Sequence, residues 1–172
     1  AGIRIKEQVA AGSRLGVKDI KFLNHLDGEL VADILLREEI IKYIRIQKPD
    51  IVVSCDPTNL LPAANRINHP DHRAAGQAVL DAVFPAAGNF AYQFEDDPIV
   101  NVPHQVDEVW LTLTRQPNFE IALTPYLEKK INALLCHSSQ VHASAEELRE
   151  RYMKYSAMIG DNGVANYSEK FL

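Results

Sequence analysis

The chain has 172 residues, of which 47% are hydrophobic and 24% charged, with a formal net charge of -5 and a pI near 5.7. A chain of this size buries roughly 70% of the surface its unfolded form exposes, and its composition is that of a globular protein, so a disordered chain is excluded. The eighteen Lys and Arg are scattered, which leaves no basic footprint for nucleic acid. Apolar runs such as 78–84 and 132–136 fall short of the roughly 20 residues that cross a bilayer as a helix, so no membrane partner is expected.

Cys55 and Cys136 are far apart and lack a Cys-x-x-Cys spacing. Neither a disulfide framework nor a cysteine metal site is indicated, and a cytoplasmic location is the expectation. The first eight residues have no apolar signal-peptide core and read as the opening of a helix, so the chain is expected to begin in mid-fold.

In chain order, Ile5, Val9, Ala10 and Leu15 predict an amphipathic helix closed by Gly16. Residues 17–23 alternate and predict a strand, followed by a loop over 24–28. Ile34, Leu35, Ile40, Ile41 and Ile44 predict a helix within 31–47, stopped by Pro49. Ile51-Val52-Val53-Ser54 is a continuous apolar run of the kind expected for a strand buried on both faces of a parallel sheet.

A long polar loop, 55–70, follows that strand. Loops beyond about 12 residues are usually functional or disordered, and the carboxyl ends of parallel strands are where open α/β sheets bind ligands. Ala75, Ala78, Val79, Ala82 and Val83 predict a helix over 71–84 with Pro85 as its stop. Strands are predicted over 105–114 and 119–123, and helices over 126–140 and 144–159. Alternating strands and helices imply a Rossmann-like, doubly wound, mostly parallel sheet with helices on both faces, although the first predicted element is already a helix.

The densest chemical signal is Asn68-His69-Pro70-Asp71-His72-Arg73, where the long loop enters a helix. Histidine ligates metals or moves protons near neutral pH, and a neighbouring carboxylate fixes its tautomer and raises its basicity. Asp71 could equally be a helix cap with two incidental histidines beside it, and spacing alone does not choose.

This segment, with the Ile51–Ser54 strand before it and the Ala-rich helix after it, resembles the PIG-L/LmbE-like family of zinc-dependent N-acetylglucosaminyl deacetylases. Residues 11–17, 22–30 with the Asp27-Gly28 pair, and 130–140 with His137-Ser138-Ser139-Gln140 carry supporting similarity. The resemblance implies a zinc-dependent hydrolase that removes an N-acetyl group from a small N-acetylated sugar or conjugate. It assigns His72 as a metal ligand, His69 as the residue that stabilises or protonates the tetrahedral intermediate, and Asp71 as the carboxylate that orients His69. A homo-oligomer is compatible with all of this.

One departure matters. The family's first strand ends in His-Pro-Asp-Asp, which supplies two further metal ligands and the carboxylate that activates water; no such motif occurs in these 172 residues. A catalytic zinc uses about three protein ligands. The expectation is therefore a single deacetylase domain over 1–172 that lacks its first βα unit. The alternative is a non-catalytic carbohydrate-binding relative with an incomplete metal site. A nucleotide-binding protein is disfavoured because the eight glycines form no phosphate-binding loop.

Lesser candidates have stronger bland readings. His137 reads as a structural histidine and Arg115 as a solvated arginine, Asp56 and Asn65 could line a pocket mouth, and His25, His104 and His142 have no partner pattern. The charge run 146–151 reads as an exposed helix face.

Overall fold

A computed structural model describes residues 2–62, 65–94, 98–159 and 165–172. The elements in chain order are α1 (Gly2–Leu15), α2 (Ile34–Gln47), β1 (Ile51–Cys55), α3 (Pro70–Asp81), β2 (Glu108–Thr112), β3 (Phe119–Ala122), α4 (Leu127–Leu134), α5 (Ala145–Ser156), β4 (Ala157–Ile159) and β5 (Ala165–Phe171). They fall into two compact units, one of Ala1–Leu23 with Glu120–Glu169 and one of Asn24–Phe119 with Lys170–Leu172.

The second unit holds the histidine segment and is built as strand, helix, strand. β1 and β2 pair in parallel, from Ile51 opposite Glu108 to Cys55 opposite Thr112, and α3 lies on the connection between them. The parallel pair with a helical crossover agrees with the α/β class predicted from the alternation of elements. α2 starts where Asp33 accepts from the Leu36 N–H, three residues into the predicted range, and ends at Lys48 in the left-handed conformation just before Pro49. Its Ile41 and Ile44 pack with Ala82, Ala86, Ala87, Phe94, Val100 and Val106 into one core.

α3 approaches β1 unusually closely, and Gly76 allows it. A Cβ built there would lie 2.2 Å from the Cys55 carbonyl oxygen. α3 ends at Asp81, three residues before the predicted end, and a π-helical stretch, Ala82–Ala87, continues from it with a kink at Phe84, whose extended backbone (φ -132°, ψ 127°) precedes Pro85.

Arg45 on α2 is fully buried, and among the described residues no carboxylate pairs with it. Instead its guanidinium donates to five backbone carbonyls: Ala86 (3.2 Å), Ala87 (3.0 Å), Asn89 (2.7 Å), Tyr92 (2.7 Å) and Val100 (2.9 Å). Five donors meeting five acceptors satisfy the cation, and they add to the backbone N–H groups that already reach the Ala86, Ala87 and Asn89 carbonyls.

In the first unit, Leu123, Leu127, Ile131, Leu148 and Tyr167 form a separate core. β3, β5 and β4 form a sheet in that order, with β4 and β5 antiparallel. Glu7 of α1 is buried and accepts from Ser138 Oγ (3.1 Å), Ser139 N–H (2.7 Å) and Ser139 Oγ (2.7 Å), which ties α1 to the turn after α4.

Three expectations are corrected. Residues 17–23 form no strand: α1 closes with the Val17 N–H on the Gly12 carbonyl at 2.9 Å, and alternation without a ladder partner leaves the segment irregular. β1 is not buried on both faces, because Val52 joins the α2 core while Ile51 (40%) and Val53 (56%) are exposed on the other side. The last two predicted helices are shorter: α4 ends at Leu134, and α5 gives way at Ala157 to a strand paired with β5.

Candidate functional site

The site grows from the junction of loop and helix. Asn68, buried at the end of the long loop, donates its side-chain amide to the Asn59 carbonyl (2.9 Å) and its N–H to the Leu60 carbonyl (2.9 Å), which fixes the entry to α3. His69 is the N-cap, with its Nδ1 accepting from the Asp71 N–H at 3.3 Å, and Pro70 occupies the first helical position, where a missing N–H costs nothing. Asp71 lies in the first turn, where the helix dipole favours a negative charge.

The cap is therefore His69, and the Asp71 side chain is free to reach beyond its own helix. Its Oδ2 accepts from the Gly28 N–H (2.7 Å) and its Oδ1 from the Leu30 N–H (3.2 Å), so a loop more than forty residues away in sequence is fastened to α3. The Gly28 bond, followed by the Leu30 bond and the two nearby imidazoles, outweighs partial burial and holds the Asp71 carboxyl below its ordinary range. Gly28 has φ +86°, a left-handed conformation that glycine adopts without strain.

That turn brings Asp27 to the histidines. Asp27 Oδ1 lies 3.9 Å from His69 Nε2, and Asp71 Oδ2 lies 3.8 Å from His69 Nδ1, so the imidazole has a carboxylate at each end. The rings of His69 and His72 are 5.5 Å apart at 44°. Ligand atoms of Asp27, His69 and Asp71 lie within 4.8 Å of one another. Asp27 was not singled out as a site residue by the sequence. An acidic residue before a loop glycine is the only local signal, and its approach to His69 exists only in three dimensions.

The group of three does not contain His72, the residue that the sequence resemblance reads as the ligand; His72 stands exposed beside His69. Asp71, with both oxygens taken up by backbone N–H groups, is better suited to orienting its neighbour than to supplying a free donor.

Among the lesser candidates, Asp56 and Arg115 line one cavity of about 260 Å³ together with Thr58, Asn59, Leu60 and Leu61. Asp56 is engaged there by the Thr58 N–H (2.8 Å) and hydroxyl (2.6 Å), and Arg115 donates to the Leu61 carbonyl at 3.3 Å. Asn65 is exposed. His25 is paired with Glu39 (2.9 Å) and His104 with the Pro49 carbonyl (2.9 Å). His137 belongs to the turn that Glu7 fastens, as a structural residue would. Cys55 and Cys136 are free thiols, and burial pushes Cys55 up. No described helix is long and apolar enough to cross a membrane.

A parallel βαβ unit with a His-x-Asp-His cluster at the carboxyl side of its first strand is the architecture of an α/β protein that works on ligands at its strand ends. Known proteins narrow this. Residues 1–83 match the family described as PIG-L: GlcNAc-PI de-N-acetylase. The chain is 34% identical over 157 residues to the diacetylchitobiose deacetylase of Thermococcus kodakarensis, covering 90% of this chain and 56% of that protein. It is 28% identical over 159 residues to the "Probable N-acetyl-alpha-D-glucosaminyl L-malate deacetylase 2" of Bacillus anthracis, covering 87% and 61%. The crystallised N,N'-diacetylchitobiose deacetylase of Pyrococcus horikoshii superposes with a TM-score of 0.76 at 30% identity, over 99% of this chain and 62% of that one. The chain is thus similar to the PIG-L family over residues 1–83 and to these deacetylases over most of its length, and it spans between half and two thirds of the length of these relatives.

Proposed function

We propose that this chain is part of a metal-dependent N-deacetylase acting on an N-acetylglucosamine-type sugar or related amide. The observation that carries the reading is the His69–His72 segment itself: two exposed imidazoles 5.5 Å apart, one of them flanked by carboxylates, on the first turn of a helix fastened by Asp71. Relatives named as deacetylases of N-acetylated sugars support it.

Imidazole and carboxylate donors suit zinc or another borderline divalent ion, so the residues fit such a group, although in part only. His72 would hold it, with further donors from the portion of the relatives' length that this chain does not span. When bound, such an ion supplies a Lewis acid for the amide carbonyl and an ionisable water near neutral pH. His69 would provide a hydrogen bond to the charge that develops on the carbonyl oxygen as the carbonyl carbon is attacked, and a proton to the amine nitrogen as the C–N bond breaks. Asp71 keeps that imidazole in place through the N-cap bond and its own fixed carboxylate. Free cysteines agree with a reducing cytoplasm.

The test is acetate release from an N-acetylglucosamine-type substrate by the full-length protein with zinc. His72→Ala should lower turnover to background and reduce bound zinc; unchanged turnover would falsify the ligand role. A second reading, a carbohydrate-binding relative without catalysis, is favoured by the lack of a His-Pro-Asp-Asp motif in these residues. Stoichiometric zinc in the full-length protein would exclude it.

A further inference from the structure

We propose that Asp71 is a positioning residue for the Asp27–Leu30 turn, and that it shapes the site by holding the Asp27 carboxylate against His69 as well as by orienting His69 directly. The functional consequence rests on the deacetylase reading above; the structural one does not.

Three observations carry it. The segment between α1 and α2 has no strand or helix over 17–33, so its shape depends on side-chain ties. Within 24–33 the turn closes on its own backbone, Glu29 N–H to the Leu26 carbonyl (3.2 Å), and its ties to other elements include His25 to Glu39 on α2 (2.9 Å), Gly28 N–H to Asp71 (2.7 Å) and Leu30 N–H to Asp71 (3.2 Å), with the Asp33 cap of α2 beyond. Asp27 lies between the His25 and Gly28 ties. Its side chain is 79% exposed, with the His69 ring 3.9 Å away as its ionic partner among the described residues, so its own contacts do not anchor it. What keeps a solvent-facing carboxylate beside the imidazole is therefore the backbone of the next three residues, and Asp71 grips that backbone at two N–H groups.

The chemistry requires an acceptor with two free oxygens. A carboxylate offers both to the two N–H groups, whereas an asparagine would turn its NH2 toward one of them and lose that bond. The same carboxylate is 3.8 Å from His69 Nδ1. One residue thus meets two groups, the imidazole through its own N–H, which donates to Nδ1 at 3.3 Å, and the opposing carboxylate through the turn that its side chain holds.

Two measurements on the full-length protein test this. Amide exchange should show Gly28 and Leu30 losing at least about tenfold in protection in Asp71→Ala, an intermediate loss in Asp71→Asn, and no change in Asp27→Ala, because Asp27 makes neither bond. Unchanged protection at both amides in Asp71→Ala would overturn the anchoring role whatever the activity does. In kcat/KM, Asp27→Ala and Asp71→Ala should each cost roughly tenfold to a hundredfold, and the double variant should fall close to the worse single variant, since interacting residues are not additive. Fold-changes that multiply would show that Asp71 does not act through Asp27. A wild-type protein with no deacetylase activity would sink the functional reading alone and leave the exchange result standing.

Discussion

Arg45 and Asp71 solve the same problem with opposite charges. Each is a single ionised side chain that organises an irregular stretch of the second unit through its backbone: Arg45 donates to five carbonyls between Ala86 and Val100, and Asp71 accepts two N–H groups from Gly28 and Leu30. They differ in exposure. Arg45 is fully buried and serves only the fold, while Asp71 is half-buried at a helix end that also presents two exposed histidines. A guanidinium with five donors suits a deep knot of carbonyls. A carboxylate, which exposed backbone N–H groups can hold in its charged form, suits a surface where chemistry is to happen.

The comparison breaks most visibly at Arg45. Arg45→Met should cost at least about 3 kcal/mol of unfolding free energy, because five hydrogen bonds from a charged donor are lost at roughly 1–3 kcal/mol each, even though backbone N–H groups still reach the Ala86, Ala87 and Asn89 carbonyls. Arg45→Lys should recover only part, since an ammonium has three donors for five acceptors. A denaturant midpoint close to wild type in Arg45→Met would mean that water replaces the guanidinium and that the knot is not what shapes 86–100.

A second substitution touches neither charge and moves the helix that carries Asp71. Gly76→Ala places a methyl 2.2 Å from the Cys55 carbonyl, so α3 must shift or β1 must yield, at about 1–3 kcal/mol. On the proposed deacetylase reading the shift should also lower kcat of the full-length protein, which separates it from Arg45→Met, whose loss should be mainly in stability. Wild-type stability in Gly76→Ala would show that α3 does not need its close approach.

The smallest effect is also the most diagnostic. The Asp71 carboxyl is held below its ordinary range, chiefly by the Gly28 N–H, so its contribution is fully present above the ordinary carboxylate range and is lost as pH falls through the lowered value. Arg45 stays charged throughout the acid range. The stability difference between wild type and Asp71→Ala should therefore shrink on acidification, while that between wild type and Arg45→Met stays level. A flat Asp71 difference down to strongly acid pH would show that its charge is not what holds the turn.

Much of this was legible in the chain itself. Helical spacing bounded by Pro49 and Pro85 located α2 and α3, the apolar run 51–54 located β1, and His69, Asp71 and His72 stood out because three such residues within four positions concentrate chemistry at a helix entrance. Residues 17–23 misled because alternation describes a strand's faces and says nothing about whether a partner strand is present. The exposure of Ile51 and Val53 could not be read either, since an apolar run does not reveal how many of its faces are covered.

Sequence alone located α1, α2 and α3 to within a few residues and set His69, Asp71 and His72 together at a helix entrance, because periodicity, prolines and caps act over a few neighbouring residues. Only the tertiary structure decided that Arg45 would be buried among carbonyls, that Gly76 would meet β1, and that Asp27 would face His69. Those facts depend on contacts between residues some twenty to fifty positions apart, and such contacts are set by packing, which no local pattern encodes.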